Sequence, residues 1–294
     1  MRALPARERA LYTTLISAIE LAAALAAPNG VGGNLVRLID CRARLDDAGF
    51  GARAYAAGHL PGAVFASLEH DLSATPGAGG RHPLPSADRL AARLRDLGLN
   101  DHDQIVVYDD TGGSFAARAW WCLRFLGHEA VAVLDGGLAA WTGPLETNVP
   151  EPQAGHFSIR PSLTRTIDAD ELLAVLDHAD LVDARARPRF EGREEPIDPI
   201  AGHIPGASCL PFQGNLGPNG RFLSAVELRE RFHGHNADTI CYCGSGVTAA
   251  HNILAMRVAG LPEPRLYPGS WSEWIRDPSR PCEPPRTNTG QEPG

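Results

Sequence analysis

The sequence predicts an α/β fold built as two tandem copies of one domain, each a mostly parallel sheet flanked by helices. Three observations predict it. The chain is written twice, short β-rich runs alternate with helical patterns in each copy, and a Pro- and Gly-rich stretch separates the copies. At 294 residues the chain also sits where single hydrophobic cores stop growing and chains split into domains.

The repeat is explicit. "LVRLIDCRA" (35–43) and "YAAGHLPGA" (55–63) return as "ADLVDARAR" (179–187) and "IAGHIPGAS" (200–208). Each pair joins an apolar strand ending in Asp-x-Arg (Asp40/Arg42, Asp183/Arg185) to a Gly-His-[Leu/Ile]-Pro-Gly-Ala turn. Further on, "QIVVYDD" (104–110) matches "DTICYCG" (238–244), and "LDGGLAAW" (134–141) matches "YPGSWSEW" (267–274). Asp110 to Gly137 spans 27 residues, as does Cys243 to Ser270. Asp40 and Asp183 lie 143 residues apart, far too long a period for a solenoid.

Taken in order, the elements follow from local chemistry. Arg2, Arg7 and Arg9 ahead of "LYTTLISAIELAAALAAP" have the outline of a signal peptide, but Glu20 interrupts the apolar run. Ser17-Ala-Ile-Glu20 is a capping box, which predicts a folded helix over 18–27. "LVRLID", "QIVVYD" and "AVAVLDG" read as strands of the first copy. "ADRLAARLRDLG" (87–98) and "FAARAWWCLRFLG" (115–127) read as helices ending at Gly98 and Gly127. In the second copy Ser224-Ala-Val-Glu227 opens a helix, and "VTAAHNILAMRVAG" (247–260) is another. These readings divide the chain into a first domain (12–141), a linker (142–162), a second domain (163–278) and a flexible tail (279–294).

Composition narrows the function. The formal net charge of −8 argues against nucleic acid or an acidic membrane as partner. The six cysteines are too scattered for a disulfide scaffold and lack metal-ligand spacing, so a reducing, cytoplasmic setting fits and no metal is expected. No apolar run reaches transmembrane length.

The chemistry concentrates in "CYCGSGVTAA" (241–250). "TICYC" reads as a buried strand, so Cys243 falls at its carboxyl end, where a glycine-rich loop feeds a helix. Gly244 and Gly246 let the backbone curl so that successive N–H groups point inward, and the helix dipole adds positive potential. Such a place stabilises a thiolate, a persulfide or a bound oxyanion. Cys241, inside the strand, reads as a buried core residue.

The repeated Asp-x-Arg and Gly-His-Ile-Pro-Gly-Ala motifs, the Cys-Gly-Ser-Gly-Val-Thr loop and the closing "GSWSEW" together resemble the two-domain rhodanese sulfurtransferases, over residues 12 to 278. The resemblance implies two rhodanese-like domains, the second catalytic with Cys243 as nucleophile, and the first inactive because Asp110 stands at the nucleophile position. The uncharged loop is similar to that of 3-mercaptopyruvate sulfurtransferases, whereas thiosulfate-preferring members carry Arg and Lys there. It implies Arg189, in "RPRFEGREEP" (187–196), as a ligand of the donor carboxylate. The second arginine of that subfamily is unmatched. Asp198 occupies its position, and Arg193 is the candidate substitute. Ser245 resembles a loop serine paired with a histidine and an acid, for which His59 and either Asp46 or Asp47 are the candidates. Trp271 is a candidate for shaping the pocket. The expected reaction moves a sulfane sulfur from 3-mercaptopyruvate to Cys243, held by backbone N–H groups of Gly244, Gly246, Val247 and Thr248, and on to cyanide or a thiol acceptor such as thioredoxin or a low-molecular-weight thiol. Thiosulfate is the alternative donor. No cofactor is implied. Cdc25-type phosphatases share the fold but need a longer loop ending in Arg, so phosphate is not the expected substrate.

Overall fold

A computed structural model describes residues 11–284. The chain divides into two compact units that do not follow the repeat boundaries. The first comprises residues 11–74, 84–164 and 216–224, and the second 75–83, 165–215 and 225–284, as far as described. The contiguous domains expected from the sequence are therefore each interrupted. Residues 75–83 come from the first copy but belong to the second unit, and 216–224 do the reverse.

The first unit holds a five-stranded parallel sheet of β1 (Leu15–Ile16), β2 (Val36–Asp40), β3 (Val64–Phe65), β4 (Gln104–Tyr108) and β5 (Val131–Leu134), in the order β1-β5-β4-β2-β3. The second repeats this with β6 (Arg165–Thr166), β7 (Leu181–Asp183), β8 (Ser208–Cys209), β9 (Ile240–Tyr242) and β10 (Arg265–Leu266), in the order β6-β10-β9-β7-β8. Every pairing is parallel, which requires crossovers between strands. The central strands β4 and β9 are buried throughout, as parallel strands covered on both faces must be.

Side chains explain the repeated motifs. Arg42 grips both carboxylate oxygens of Asp40 and donates from Nη2 to Gly58 O at 2.6 Å. Arg185 does the same with Asp183 and Gly202 O at 2.7 Å. Each Asp-x-Arg thus ties a strand end to the following Gly-His turn. In that turn the histidine stacks on an aromatic ring and uses Nδ1 on the same residue's carbonyl. His59 does so on Tyr55 and His203 on Phe190. A tyrosine hydroxyl from the central strand then accepts the next amide, Tyr108 from Leu60 and Tyr242 from Ile204.

The capping box at Ser17 and Glu20 forms and opens the helix Ala18–Leu25. The predicted linker adds no further strand or helix, but it is strapped along the first unit. His59 and Glu146 exchange backbone bonds, Gly155 donates to Arg95 O, Ser158 to Asp101 and Arg160 to Leu126 O. Its Pro and Gly content therefore marks irregular, ordered backbone.

The register corrects one expectation. Asp40 pairs with Tyr108 on β4 and Asp183 with Tyr242 on β9, so the residue equivalent to Cys243 is Asp109, not Asp110. The backbone agrees, since Leu138 N donates to Asp109 O as Trp271 N does to Cys243 O. The first loop reaches its helix, Ala116–Phe125, one residue later than the second loop reaches Ala249–Val258. Counting back from Gly137 therefore lands one residue too far along. Asp109 is buried, and its carboxylate accepts the amides of Thr111, Gly113, Phe115 and Ala116 at 2.8–2.9 Å. Burial pushes its pKa up against the pull of these four donors. Asp110 instead forms a partly exposed ion pair with Arg44.

Asp109→Ala leaves four buried amides without their acceptor and should cost at least about 3 kcal/mol in denaturant unfolding. Asp110→Ala should cost less than about 1 kcal/mol. The reverse order would contradict the assigned register.

Candidate active site

In the second unit β9 delivers Cys243 to the carboxyl end of the sheet, where its side chain is almost wholly buried. The turn that follows β10 pins its backbone. Cys243 N donates to Ser270 Oγ at 3.1 Å, Trp271 N donates to Cys243 O at 3.0 Å, and Ser272 N donates to Gly244 O at 2.9 Å. Ser270 holds a left-handed φ of 53°, costly for a residue with a side chain. Its hydroxyl justifies the position by accepting from Cys243 and donating to Tyr267 O at 2.9 Å. The equivalent Gly137 adopts φ 58°.

Beyond Cys243 the loop turns at Gly246, where φ is 74° and a Cβ would stand 2.3 Å from Pro268 O. Only glycine fits there. The helix Ala249–Val258 begins immediately with no side-chain cap at Thr248, Ala250 N and His251 N donating to Val247 O and Thr248 O, so its positive dipole end lies at the loop. Val247 is buried and Thr248 half-buried at the helix start. Gly244 allows close approach of two guanidinium groups. A Cβ there would lie 2.8 Å from Arg81 Nη2, and 3.5 and 3.6 Å from Arg189 Nη2 and Nη1.

A charged network stands over this loop. Arg185 reaches Glu195 at 3.4 Å as well as Asp183. Glu195 accepts from Arg189 Nε and Nη2 and from the amides of Ile197 and Asp198. Asp198 bridges Arg189 Nη2, at 3.1 Å, and Arg81 Nη1. Burial lowers the Arg81 pKa. On the other side, Ser245 Oγ lies 2.8 Å from His82 Nδ1.

Several expectations change. The histidine paired with Ser245 is His82, not His59. His59 is fully buried within its own turn, stacked on Tyr55, and His203 performs the same task in the second copy. Asp47 is engaged by Arg53 and the Gly49 amide in an exposed turn. Arg193 is not at the loop. Its side chain is 63% exposed and pairs with Glu191. Trp271 lies buried beneath Arg185, donating Nε1 to Ile200 O, and supports the network from behind. Cys241 is buried as expected, and burial pushes its thiol pKa up.

Arg81 and His82 were missed because they stand far away in sequence. One signal pointed to them. The first copy has "GRHPLPS" (80–86) where the second has "GRFLS" (220–224), and His82 is replaced by Phe222.

Residues 17–144 and 168–277 each match the rhodanese-like domain. The chain belongs to the rhodanese-like domain family. Among its relatives, a Pseudomonas aeruginosa protein named a probable 3-mercaptopyruvate sulfurtransferase is 50% identical over 280 residues, 91% of this chain and 96% of that one. A Mycobacterium tuberculosis protein provisionally named a thiosulfate sulfurtransferase is 43% identical over 280 residues, 91% of this chain and 95% of that one. The solved structure of 3-mercaptopyruvate sulfurtransferase from Leishmania major superposes with a TM-score of 0.78 at 30% identity, covering 93% of this chain and 76% of that one. Two names for the preferred donor thus occur among rhodanese relatives of full length.

Gly246→Ala tests the loop. The strained φ and the overlap with Pro268 O should cost about 3 kcal/mol or more in thermal unfolding. A displaced cradle should also reduce sulfur transfer at least about a hundredfold. Unchanged stability and turnover would contradict the loop geometry.

Proposed function

We propose that this chain is a 3-mercaptopyruvate sulfurtransferase working by double displacement through Cys243. The Cys243 thiolate attacks the donor's sulfur, the carbon–sulfur bond breaks, and its electron pair leaves on carbon as the enolate of pyruvate. Cys243 then carries the sulfur as a persulfide, and the enolate takes up a proton to become pyruvate. Cyanide or a thiol, either low-molecular-weight or carried by a protein such as thioredoxin, removes the outer sulfur and regenerates the thiolate. Such a cycle gives ping-pong kinetics.

The single observation that carries the reading is the combination of a buried cysteine at a strand end, opening a glycine-containing loop, with the Arg189 guanidinium beside Gly244. A planar guanidinium grips a carboxylate through two hydrogen bonds. Asp109 supports the anion-holding role of such a loop, since in the first unit four amides close on its carboxylate. By the same token the first loop holds a carboxylate where sulfur would be carried, and a carboxylate cannot form a persulfide. Ser245, held by His82, supplies a hydroxyl for the developing enolate oxygen, with the imidazole as its proton partner. The uncharged loop from Gly244 to Thr248 suits a monoanionic keto acid better than dianionic thiosulfate. Thiosulfate remains the rival donor because the Mycobacterium tuberculosis relative bears that name.

Turnover with 3-mercaptopyruvate and with thiosulfate, measured side by side, tests the proposal. Mercaptopyruvate should have the higher kcat/KM, and Cys243→Ser should abolish both reactions. His82→Asn should lower kcat by about a hundredfold, whereas His59→Asn should chiefly lower the melting temperature. Faster use of thiosulfate would overturn the donor assignment, and activity that survives Cys243→Ser would overturn the mechanism.

A further inference from the structure

The charged network contains an arrangement that the proposed mechanism has not used. Arg81 spends Nη1 on Asp198 and its backbone amide on Ser272 Oγ. Arg189 spends Nε and Nη2 on Glu195 and Asp198. Among the described residues this leaves Arg81 Nε and Nη2 and Arg189 Nη1 without a hydrogen-bond acceptor, and Arg81 Nη2 and Arg189 Nη1 reach toward Gly244, next to the nucleophile. Asp198, nearly buried, fixes the pair by giving one carboxylate oxygen to each guanidinium. Arg81 Nη2 and Arg189 Nη1 therefore offer a second carboxylate the same bridging pattern that Asp198 enjoys from behind.

The charge count matters as much as the geometry. Arg81, Arg185 and Arg189 are balanced by Asp183, Glu195 and Asp198. A neutral network accepts one negative charge more readily than two.

We propose that Arg81 is the second arm of the donor-carboxylate clamp, facing Arg189 across Gly244, and that Asp198 tunes this clamp to monoanionic carboxylates by cancelling one positive charge. This rests on the reading of the chain as a 2-oxo-acid sulfurtransferase and names what selects its donor. Arg81 thereby takes the place of a second arginine on the segment 187–198, contributed instead by residues 75–83 of the same unit.

Calorimetric titration of pyruvate, which carries the carboxylate but no transferable sulfur, separates the clamp from the chemistry. The wild-type chain should bind pyruvate, and Arg81→Gln and Arg189→Gln should each weaken it about tenfold or more. Arg81→Lys keeps the charge facing Asp198 but lacks the second nitrogen, and should bind nearly as weakly as Arg81→Gln while retaining the wild-type melting temperature. In turnover, Arg81→Gln should raise the KM for mercaptopyruvate with kcat little changed. Asp198→Asn should raise the ratio of thiosulfate to mercaptopyruvate kcat/KM. Wild-type affinity for pyruvate in folded Arg81→Gln or Arg81→Lys would overturn the clamp, as would absence of pyruvate binding by the wild-type chain. Intact, Arg81-dependent pyruvate binding without mercaptopyruvate turnover would instead sink the sulfurtransferase reading and leave the clamp standing.

Discussion

The second unit depends on the hydrogen bonds that fix the backbone of Cys243. Its amide is held by Ser270 Oγ, its carbonyl by the Trp271 amide, and the next carbonyl by Ser272. A residue just past the end of a central parallel strand would otherwise be held from one side alone. Here the strand register sets one side and the turn after β10 sets the other, so only the direction of the loop is left to choose. Gly246 chooses it, at a φ that a residue with a side chain adopts only at a cost. The tolerated strain at Ser270 belongs to the same arrangement. That residue is held left-handed because its hydroxyl completes the clamp.

The two copies show what a duplicated scaffold keeps and what it changes. Both keep the Asp-x-Arg tie, the stacked histidine and the tyrosine hydroxyl that accepts a turn amide. These hold the crossovers to the sheet and have nothing to do with sulfur. The copies part at the loop. In the first, Asp109 fills the cradle with its own carboxylate. In the second, Cys243 occupies the equivalent position under a balanced network of arginines and acids. One copy closes its loop on a buried carboxyl group that accepts four amides, while the other has a thiol at that position.

Much of this was legible in the sequence. The repeat, the strand–helix alternation, the capping box at Ser17 and the position of Cys243 at a strand end all follow from local patterns of period and spacing. What failed did so for physical reasons. Asp110 was mistaken for Asp109 because spacing counts residues, whereas register is set by strand pairing, and the first loop is one residue longer. His59 was mistaken for the partner of Ser245 because a repeated motif was read as chemistry, when its repetition marks a turn lock. Arg81 and His82 left only one trace in the sequence, the difference between His82 and Phe222 in the two copies, because residues 75–83 belong to the second unit although the first copy encodes them. Arg193 had the right chemistry, but its side chain is exposed and pairs with Glu191.

The central claim is that Cys243 carries the transferred sulfur in a cradle built for an anion. Peptide mass mapping after brief exposure to 3-mercaptopyruvate, without an acceptor, tests it most directly. The account predicts a gain of one sulfur atom on the peptide containing Cys243, removed by added cyanide. Sulfur found on another cysteine, or turnover with Cys243 never modified, would contradict it.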